Sequence, residues 1–182
     1  MAVIFGEDAL SEKTLARMFS YIEKARAEFV WNANLLIWPP NLIASTGAVL
    51  THILPEQIAD SLFSEILERG KIPYRPRAKM MMFYSWLPGS SIAWHRDYPD
   101  KNSLSIYLNK DWKADDGGCF CWKEWDDSMK RDSEIPPDVC SLRVPKYNNY
   151  VYMTDAEWHA VTITAPRAPA RLSLQAFFDK PE

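Results

Sequence analysis

The chain has 182 residues, of which 47% are hydrophobic and 13% aromatic, and a formal net charge of −3. This composition excludes a disordered chain, and the length fits a single domain over residues 1–182. No apolar run approaches the roughly 20 residues that cross a bilayer, the N-terminus lacks a secretory signal, and no long basic stripe is present. We therefore expect a cytoplasmic protein with no membrane or nucleic-acid partner.

Residues 1–79 are predicted to form a helical support region. A short apolar run at residues 2–5 fits an edge strand. Ser11 is placed to cap a helix that runs through about Phe29, with Leu15 among the apolar residues at helical spacing. We expect this helix to cover one face of a sheet.

A strand and a second helix follow within the same region. The strand is predicted from Val49 to Leu54, and its His52 has no second ligand at a useful spacing, so we interpret this histidine as structural. The helix is predicted over residues 56–69, with Pro55 at its start and Gly70 closing its end. It is expected to cover the same face of the sheet as the first helix.

From residue 80 the hydrophobic period changes from helical to alternating, and about eight strands separated by turn signals are predicted as far as residue 178. The predicted strands are Met80–Trp86, Ile92–His95, Ser103–Leu108, Cys119–Trp122, Val139–Val144, Tyr150–Thr154, Trp158–Thr164 and Arg171–Phe178. This number of strands favours a mainly β fold with supporting helices, whose core is a double-stranded β-helix or cupin-like jelly roll.

Three local features have a structural and a functional interpretation. Cys119 and Cys121 could bind a metal, but alternation favours two free thiols that pack on one sheet face. Acidic residues before Gly117 and Gly118 could suggest calcium, but a turn is favoured because no calcium-loop pattern follows. Residues 123–138 form either a mobile lid or a plain surface loop, and the sequence leaves both open.

The strongest chemical signal is the pair His95 and Asp97. In extended backbone, residues i and i+2 point to the same face, so both side chains can reach one metal ion. His159, at the start of an alternating run, supplies a third ligand from another strand that could lie across a barrel from the first. Two imidazoles and one carboxylate on one side of a metal are typical of non-haem Fe(II) oxygenases.

A carboxylate anchor is predicted on the last strand. Alternation places Arg171, Ser173, Gln175 and Phe177 on one face. A guanidinium is a charged planar fork suited to a carboxylate, and a neighbouring hydroxyl can add a donor. The sequence therefore predicts a site for a dicarboxylate cosubstrate.

These motifs resemble the Fe(II)/2-oxoglutarate dioxygenases, specifically the prolyl 4-hydroxylase-like branch that includes the oxygen-sensing prolyl hydroxylases. The similarity covers roughly residues 80–178. It rests on His95-Arg96-Asp97, Tyr107-Leu108-Asn109-Lys110-Asp111-Trp112, Asp116-Gly117-Gly118, His159 and Arg171-Leu172-Ser173. The stretch at 123–138 has no counterpart in the family pattern.

The resemblance implies a role for each of these positions. The two histidines and Asp97 would bind iron and form the catalytic centre. Arg171, with Tyr107 and Ser173, would hold the distal carboxylate of 2-oxoglutarate, and Tyr84 would lie beside the cosubstrate. The implied cofactors are Fe(II), 2-oxoglutarate and O2, with ascorbate as a stimulant. The carboxylate at Asp97 argues against halogenation, so hydroxylation is the expected outcome, while desaturation and ring formation stay open.

Three functions fit this sequence. The first is hydroxylation of a prolyl residue in a protein or peptide, and the second is the same chemistry on a free amino acid or small metabolite. Fold does not fix substrate, so both remain open. The third is a catalytically silent barrel that binds a metal or ligand. The intact set of His95, Asp97, His159 and Arg171 counts against this third function.

Overall fold

The computed structural model of the chain describes residues 3–27, 32–33, 48–74, 76, 79–97, 101–123, 140–154 and 157–181. These residues contain two α-helices, α1 (Glu12–Ala27) and α2 (Glu56–Glu68), and a 3-10 turn at Ala114–Asp116. They also contain eleven strands. In chain order these are β1 (Val3–Gly6), β2 (Asn32–Ala33), β3 (Val49–Ile53), β4 (Lys79–Trp86), β5 (Ile92–His95), β6 (Lys101–Tyr107), β7 (Phe120–Trp122), β8 (Ser141–Arg143), β9 (Tyr150–Met153), β10 (His159–Val161) and β11 (Arg171–Asp179).

The strands form two antiparallel sheets. The major sheet has seven strands in the order β1-β9-β6-β11-β4-β3-β2, and the minor sheet has four in the order β5-β10-β7-β8. Neighbours that are distant in sequence, such as β11 between β6 and β4, are typical of a double-sheet jelly roll. The predicted fold class is therefore confirmed.

Both helices pack on one face of the major sheet, as predicted. They form a single apolar core with the sheet residues that point towards them. The helices contribute Leu15, Met18, Ile22, Ala59, Leu62, Phe63 and Ile66, and the strands contribute Met81, Phe83, Leu104, Ile106, Leu174, Ala176 and Phe178. The predicted cap of α1 is also present, because the Thr14 N–H donates to Ser11 Oγ at 3.3 Å.

The N-terminal region also contributes strands to the sheet. β1 is an edge strand that pairs with β9, and β3 pairs with β4. Among the described residues, His52 of β3 belongs to no cluster of potential metal ligands. Its Nε2 is 2.8 Å from the Tyr21 hydroxyl of α1. This hydrogen bond connects the helix layer to the sheet, in agreement with the structural interpretation of His52.

Smaller predictions can be compared with the described residues. Cys119 and Cys121 are buried free thiols, and the acidic stretch before Gly117 is a 3-10 turn. The described helices include none with the length and apolar character of a membrane span. The possible lid at 123–138 lies, apart from its first residue, outside the described residues.

Candidate active site

A cleft opens between the two sheets, on the side of the major sheet opposite the helices. Side chains from both sheets line it. They are Tyr84, Trp86, Ile92, His95, Asp97, Ser105, Tyr107, Phe120, Met153, His159, Val161, Arg171, Ser173, Gln175 and Phe177. All seven site residues predicted from the sequence are in this set, so the fold brings them to one place.

His95, Asp97 and His159 converge at one wall of the cleft. Their potential ligand atoms all lie within 4.8 Å of one another. Asp97 Oδ1 is 3.8 Å from His95 Nε2, and Asp97 Oδ2 is 3.6 Å from His159 Nε2. Three ligand atoms at this spacing can surround a single metal ion, with positions left open on the cleft side.

The backbone sets the tautomer of both histidines in the same way. His95 Nδ1 lies 2.8 Å from the Ala93 carbonyl oxygen, and His159 Nδ1 lies 2.8 Å from the Glu157 carbonyl oxygen. A carbonyl accepts only from a protonated nitrogen, so each Nδ1 carries the hydrogen and each Nε2 keeps a lone pair towards Asp97. This is the orientation of a histidine that binds metal through Nε2.

Electrostatics keep His95 in the form that binds metal. Burial lowers the pKa of His95 well below its usual value, and the neighbouring His159 lowers it further, against the opposing attraction of Asp97. The two imidazole rings lie 4.1 Å apart between centroids. Burial and this close contact favour the neutral, metal-binding form of His95 at neutral pH.

The arrangement of the strands differs from one prediction. His159 does not lie across the barrel from His95, because β10 and β5 are neighbours in the minor sheet and the two histidines are directly paired. That prediction was wrong because alternation indicates the face on which a residue lies but not the strand beside it. β5 ends at His95, and Asp97, two residues further along the chain, places its carboxylate beside the His95 imidazole.

The residues fit a divalent metal. Asp97 Oδ2 is enclosed and has no hydrogen-bond partner in the described part of the chain. A buried carboxylate oxygen without a donor is costly, and a cation held between it and two imidazole lone pairs would satisfy all three groups. This donor set of two imidazoles and a carboxylate suits Fe(II).

Arg171 occupies another wall of the same cleft. It is 3% exposed, and its guanidinium carbon lies 5.3 Å from the Trp86 ring centroid and 5.1 Å from the Tyr107 ring centroid. Its Nε has no hydrogen-bond partner, and no carboxylate of the described residues forms an ion pair with it. A buried guanidinium without an anion is strongly unfavourable, which predicts an anionic ligand at this wall.

Tyr107 adds a neutral donor beside Arg171. Burial raises the pKa of Tyr107 to about 12, although the positive charge of Arg171 acts in the opposite direction. The phenol therefore keeps its hydrogen at neutral pH. Ser173 of β11 lies directly between Tyr107 on β6 and Tyr84 on β4 in the sheet register, which places the four predicted cosubstrate residues in one patch.

Two further features of the cleft were not assigned from the sequence. Trp86 lies opposite Arg171 on β4 and covers its guanidinium. Ser105 donates a hydrogen bond to Gln175 Oε1 across the β6–β11 pair. Alternation from Tyr84 to Trp86 places Trp86 on the site face and could have revealed it, whereas the Ser105–Gln175 hydrogen bond depends on the pairing of β6 with β11.

Solved structures with the same fold include prolyl hydroxylases. The prolyl-4-hydroxylase of Pseudomonas putida is 15% identical with a TM-score of 0.67, and the match covers 99% of this chain and 93% of that one. A prolyl hydroxylase from Trichoplax adhaerens, in complex with a peptide fragment of the hypoxia inducible factor oxygen degradation domain, is 12% identical with a TM-score of 0.70. That match covers 98% of this chain and 84% of the other.

A third structure is HygX from Streptomyces hygroscopicus, with nickel and 2-oxoglutarate bound. It is 10% identical with a TM-score of 0.66, and the match covers 98% of this chain and 83% of HygX. No family model matches the sequence, and no curated protein matches it significantly. The structural matches show that the chain has the fold of the 2-oxoglutarate and Fe(II) oxygenases, a fold that these prolyl hydroxylases share.

Proposed function

We propose that this protein is an Fe(II)- and 2-oxoglutarate-dependent dioxygenase that hydroxylates a prolyl residue in a protein or peptide. One observation carries the proposal. A single cleft contains both a cluster of two histidines and an aspartate and a buried arginine with no anionic partner among the described residues. The cluster suits a metal ion and the arginine suits a carboxylate. One 2-oxo diacid could therefore bind the metal ion through its 2-oxo acid end and Arg171 through its other carboxylate.

In this proposal His95, Asp97 and His159 hold Fe(II) on one side and leave the cleft side for the reactants. When bound, iron with 2-oxoglutarate and O2 supplies the oxidising chemistry that replaces a C–H bond by C–OH, with release of succinate and CO2. Ascorbate is expected to stimulate turnover by keeping the iron reduced. The protein supplies ligand geometry and orientation, because the hydrogen bonds from both Nδ1 atoms fix the imidazoles before metal arrives.

Arg171 is the anchor for the distal carboxylate of 2-oxoglutarate. Its fork can bind a carboxylate through two N–H groups, and the protonated Tyr107 hydroxyl can donate a further hydrogen bond. Ser173 lies beside Tyr107 in the register and can add a third donor, and Tyr84 lies beside the chain of the cosubstrate. Burial excludes water from this end, which strengthens each of these interactions.

The lining of the cleft supports a neutral substrate. Apart from the metal cluster and Arg171, the described lining residues are apolar, aromatic or neutral polar. A prolyl ring inside a peptide carries no charge and can pack against such a surface. A free amino acid brings an ammonium and a carboxylate group, and the described lining offers no second basic side chain to pair the carboxylate.

The test is conversion of 2-oxoglutarate to succinate by the purified protein with Fe(II) and ascorbate under air. Prolyl peptides, free amino acids and no addition are compared in parallel. The proposal predicts turnover that prolyl peptides stimulate, with a mass increase of one oxygen on the peptide. Stimulation by a free amino acid alone would indicate a small-molecule hydroxylase. No turnover, together with no binding of Fe(II) or 2-oxoglutarate, would overturn the dioxygenase proposal.

A further inference from the structure

Two consecutive glycines, Gly117 and Gly118, connect the 3-10 turn to β7, directly behind Arg171. Gly117 has φ +67° and ψ −144°, a conformation open essentially to glycine alone, and Gly118 has φ +59°. The turn explanation accounts for Gly117. It does not account for Gly118, because other residues do adopt the left-handed region in turns.

Side-chain contacts give a separate reason for Gly118. A Cβ atom at this position would lie 2.7 Å from Arg171 Cδ and 3.3 Å from Arg171 Nε. It would also lie 3.3 Å from Cζ2 of Trp112. The first distance is well inside van der Waals contact, so either the backbone at Gly118 or the Arg171 side chain would have to move.

The backbone at Gly118 is fixed on several sides. The Gly118 N–H donates to the Ile163 carbonyl oxygen at 3.1 Å, and Gly117 forms a β-bridge with Thr164. The Trp112 indole N–H donates to the Gly117 carbonyl oxygen at 2.9 Å. Because these hydrogen bonds hold the glycine pair in place, an added methyl group would displace Arg171 rather than the backbone.

Two aromatic rings also lie close to Arg171. The Trp86 and Tyr107 rings lie within 5.3 Å and 5.1 Å of its guanidinium carbon. The Arg171 side chain is therefore enclosed by these two rings and by the backbone of Gly118. If a side chain at position 118 displaced the guanidinium, it would approach a bound carboxylate at a different distance and angle.

We propose that Gly118 is a positioning residue that fixes the reach of Arg171 and so selects the length of the 2-oxo diacid that the cleft accepts. The inference rests on the proposed function for the identity of the ligand. The positional part, contact between residue 118 and Arg171, stands on the structure of the chain alone. The two parts can be tested separately.

The experiment compares Gly118→Ala with a matched control, Gly89→Ala. Gly89 also has a left-handed φ, +84°, but a Cβ there would meet nothing within 4 Å, so the control introduces similar backbone strain away from Arg171. Mn(II)-loaded protein is titrated calorimetrically, without oxygen, with oxaloacetate, 2-oxoglutarate and 2-oxoadipate. These three diacids differ by one methylene each.

Gly118→Ala should weaken 2-oxoglutarate binding by about tenfold or more, because a charge-assisted hydrogen bond is misaligned. It should also change the order of preference among the three diacids while Mn(II) binding is unchanged. If Gly118→Ala acted only by lowering the stability of the protein, the binding of all three diacids would weaken equally. Gly89→Ala should keep the wild-type preference. An unchanged preference in Gly118→Ala, with normal 2-oxoglutarate affinity, would overturn the inference.

Thermal unfolding tests the positional part even if Gly118→Ala folds poorly. Removal of the Arg171 side chain removes the closest contact of the added methyl group, so Gly118→Ala should cost less stability in an Arg171→Ala background than in the wild type. An equal cost of Gly118→Ala in both backgrounds would contradict contact with Arg171. If wild-type protein binds none of the diacids, the proposed function and the selection of diacid length both fail, while this stability comparison still decides the positional part.

Discussion

The two faces of the major sheet are built from the same strands and serve opposite purposes. In β11 the even-numbered residues Leu172, Leu174, Ala176 and Phe178 pack with the helix core, and Arg171, Ser173, Gln175 and Phe177 line the cleft. The helix face is apolar and closely packed. The cleft face contains a buried guanidinium and a metal-binding cluster that cost stability unless ligands satisfy them.

The difference indicates where stability and activity originate. Burial of apolar area under α1 and α2 stabilises the fold, and this surplus offsets polar groups that are buried on the opposite face. Substitutions on the helix face should therefore lower stability and leave the chemistry of the folded protein intact. Substitutions on the cleft face should impair the chemistry and change the stability of the fold little.

The largest effect on activity is expected from the metal cluster. His95→Ala or Asp97→Ala should reduce Fe(II)-dependent succinate formation to background, because a ligand of the metal is removed. Circular dichroism should show that the fold is retained. His52→Ala is the matched control, since His52 bonds to Tyr21 in the helix layer and should keep full specific activity. Wild-type turnover in His95→Ala would remove the proposed metal cluster.

The largest effect on stability is expected from the opposite face of the same sheet. Leu174 is 1% exposed and lies between Phe83 and Ile106 in the sheet register. Leu174→Ala should lower the free energy of unfolding by about 2–5 kcal/mol, because it leaves a cavity in the core. Denaturant unfolding measures this loss. Activity per folded molecule should stay near wild type, and a selective loss of activity would contradict the separation of the two faces.

Arg171→Ala should weaken cosubstrate binding strongly while it changes the stability of the ligand-free protein little. The 2-oxoglutarate requirement should rise by the equivalent of about 2 kcal/mol, roughly thirtyfold, through loss of a charge-assisted anchor. Stability without ligand should fall little or increase, since a buried charge with no anionic partner in the described structure is removed. Titration of 2-oxoglutarate and thermal unfolding measure the two effects. A large loss of stability with an unchanged requirement would place the anchor elsewhere.

The smallest effect concerns the contact between the two helices. Glu65 of α2 accepts hydrogen bonds from the Ser11 N–H and the Thr14 hydroxyl at the start of α1. Burial acts to raise the pKa of Glu65, but these hydrogen bonds outweigh it and the pKa is lowered. The stabilisation is therefore present above the pKa of the unfolded state and is lost as pH falls through the folded pKa.

Glu65→Gln should lower the free energy of unfolding at neutral pH by about 1 kcal/mol, a figure reduced for partial exposure. The variant should also lose part of the stability change between neutral and acidic pH. Unfolding curves at several pH values measure both. Succinate formation should be unaffected, because Glu65 lies in the helix layer. An identical pH dependence in wild type and variant would show that Glu65 contributes nothing.

The sequence predicted the elements better than their arrangement. The predicted strand Arg171–Phe178 differs from β11 by one residue, because alternation over a long strand is a strong signal. The cap at Ser11 was equally visible, since it depends on local contacts. The predicted strand from Trp158 to Thr164 is shorter in the structure, because the β10–β5 register is irregular between His159 and Val161.

In the candidate site, too, local patterns were predicted and long-range contacts were not. Alternation placed His95 and Asp97 on one face, and it placed Arg171 and Ser173 on one face. The pairing of His159 with His95, and the contact of Gly118 with Arg171, join residues far apart in the chain. Such contacts depend on which strands become neighbours, and hydrophobic periodicity carries no information about that choice.

The most direct test of the account is anaerobic absorption spectroscopy of the protein with Fe(II) and 2-oxoglutarate. Chelation of Fe(II) by a 2-oxo acid produces a visible charge-transfer band that neither component gives alone. We predict this band in the wild-type protein, its loss in Asp97→Ala, and a higher 2-oxoglutarate concentration for its appearance in Arg171→Ala. No band with both components present, or a band of equal strength and affinity in all three proteins, would contradict a cleft that joins the metal to the carboxylate anchor.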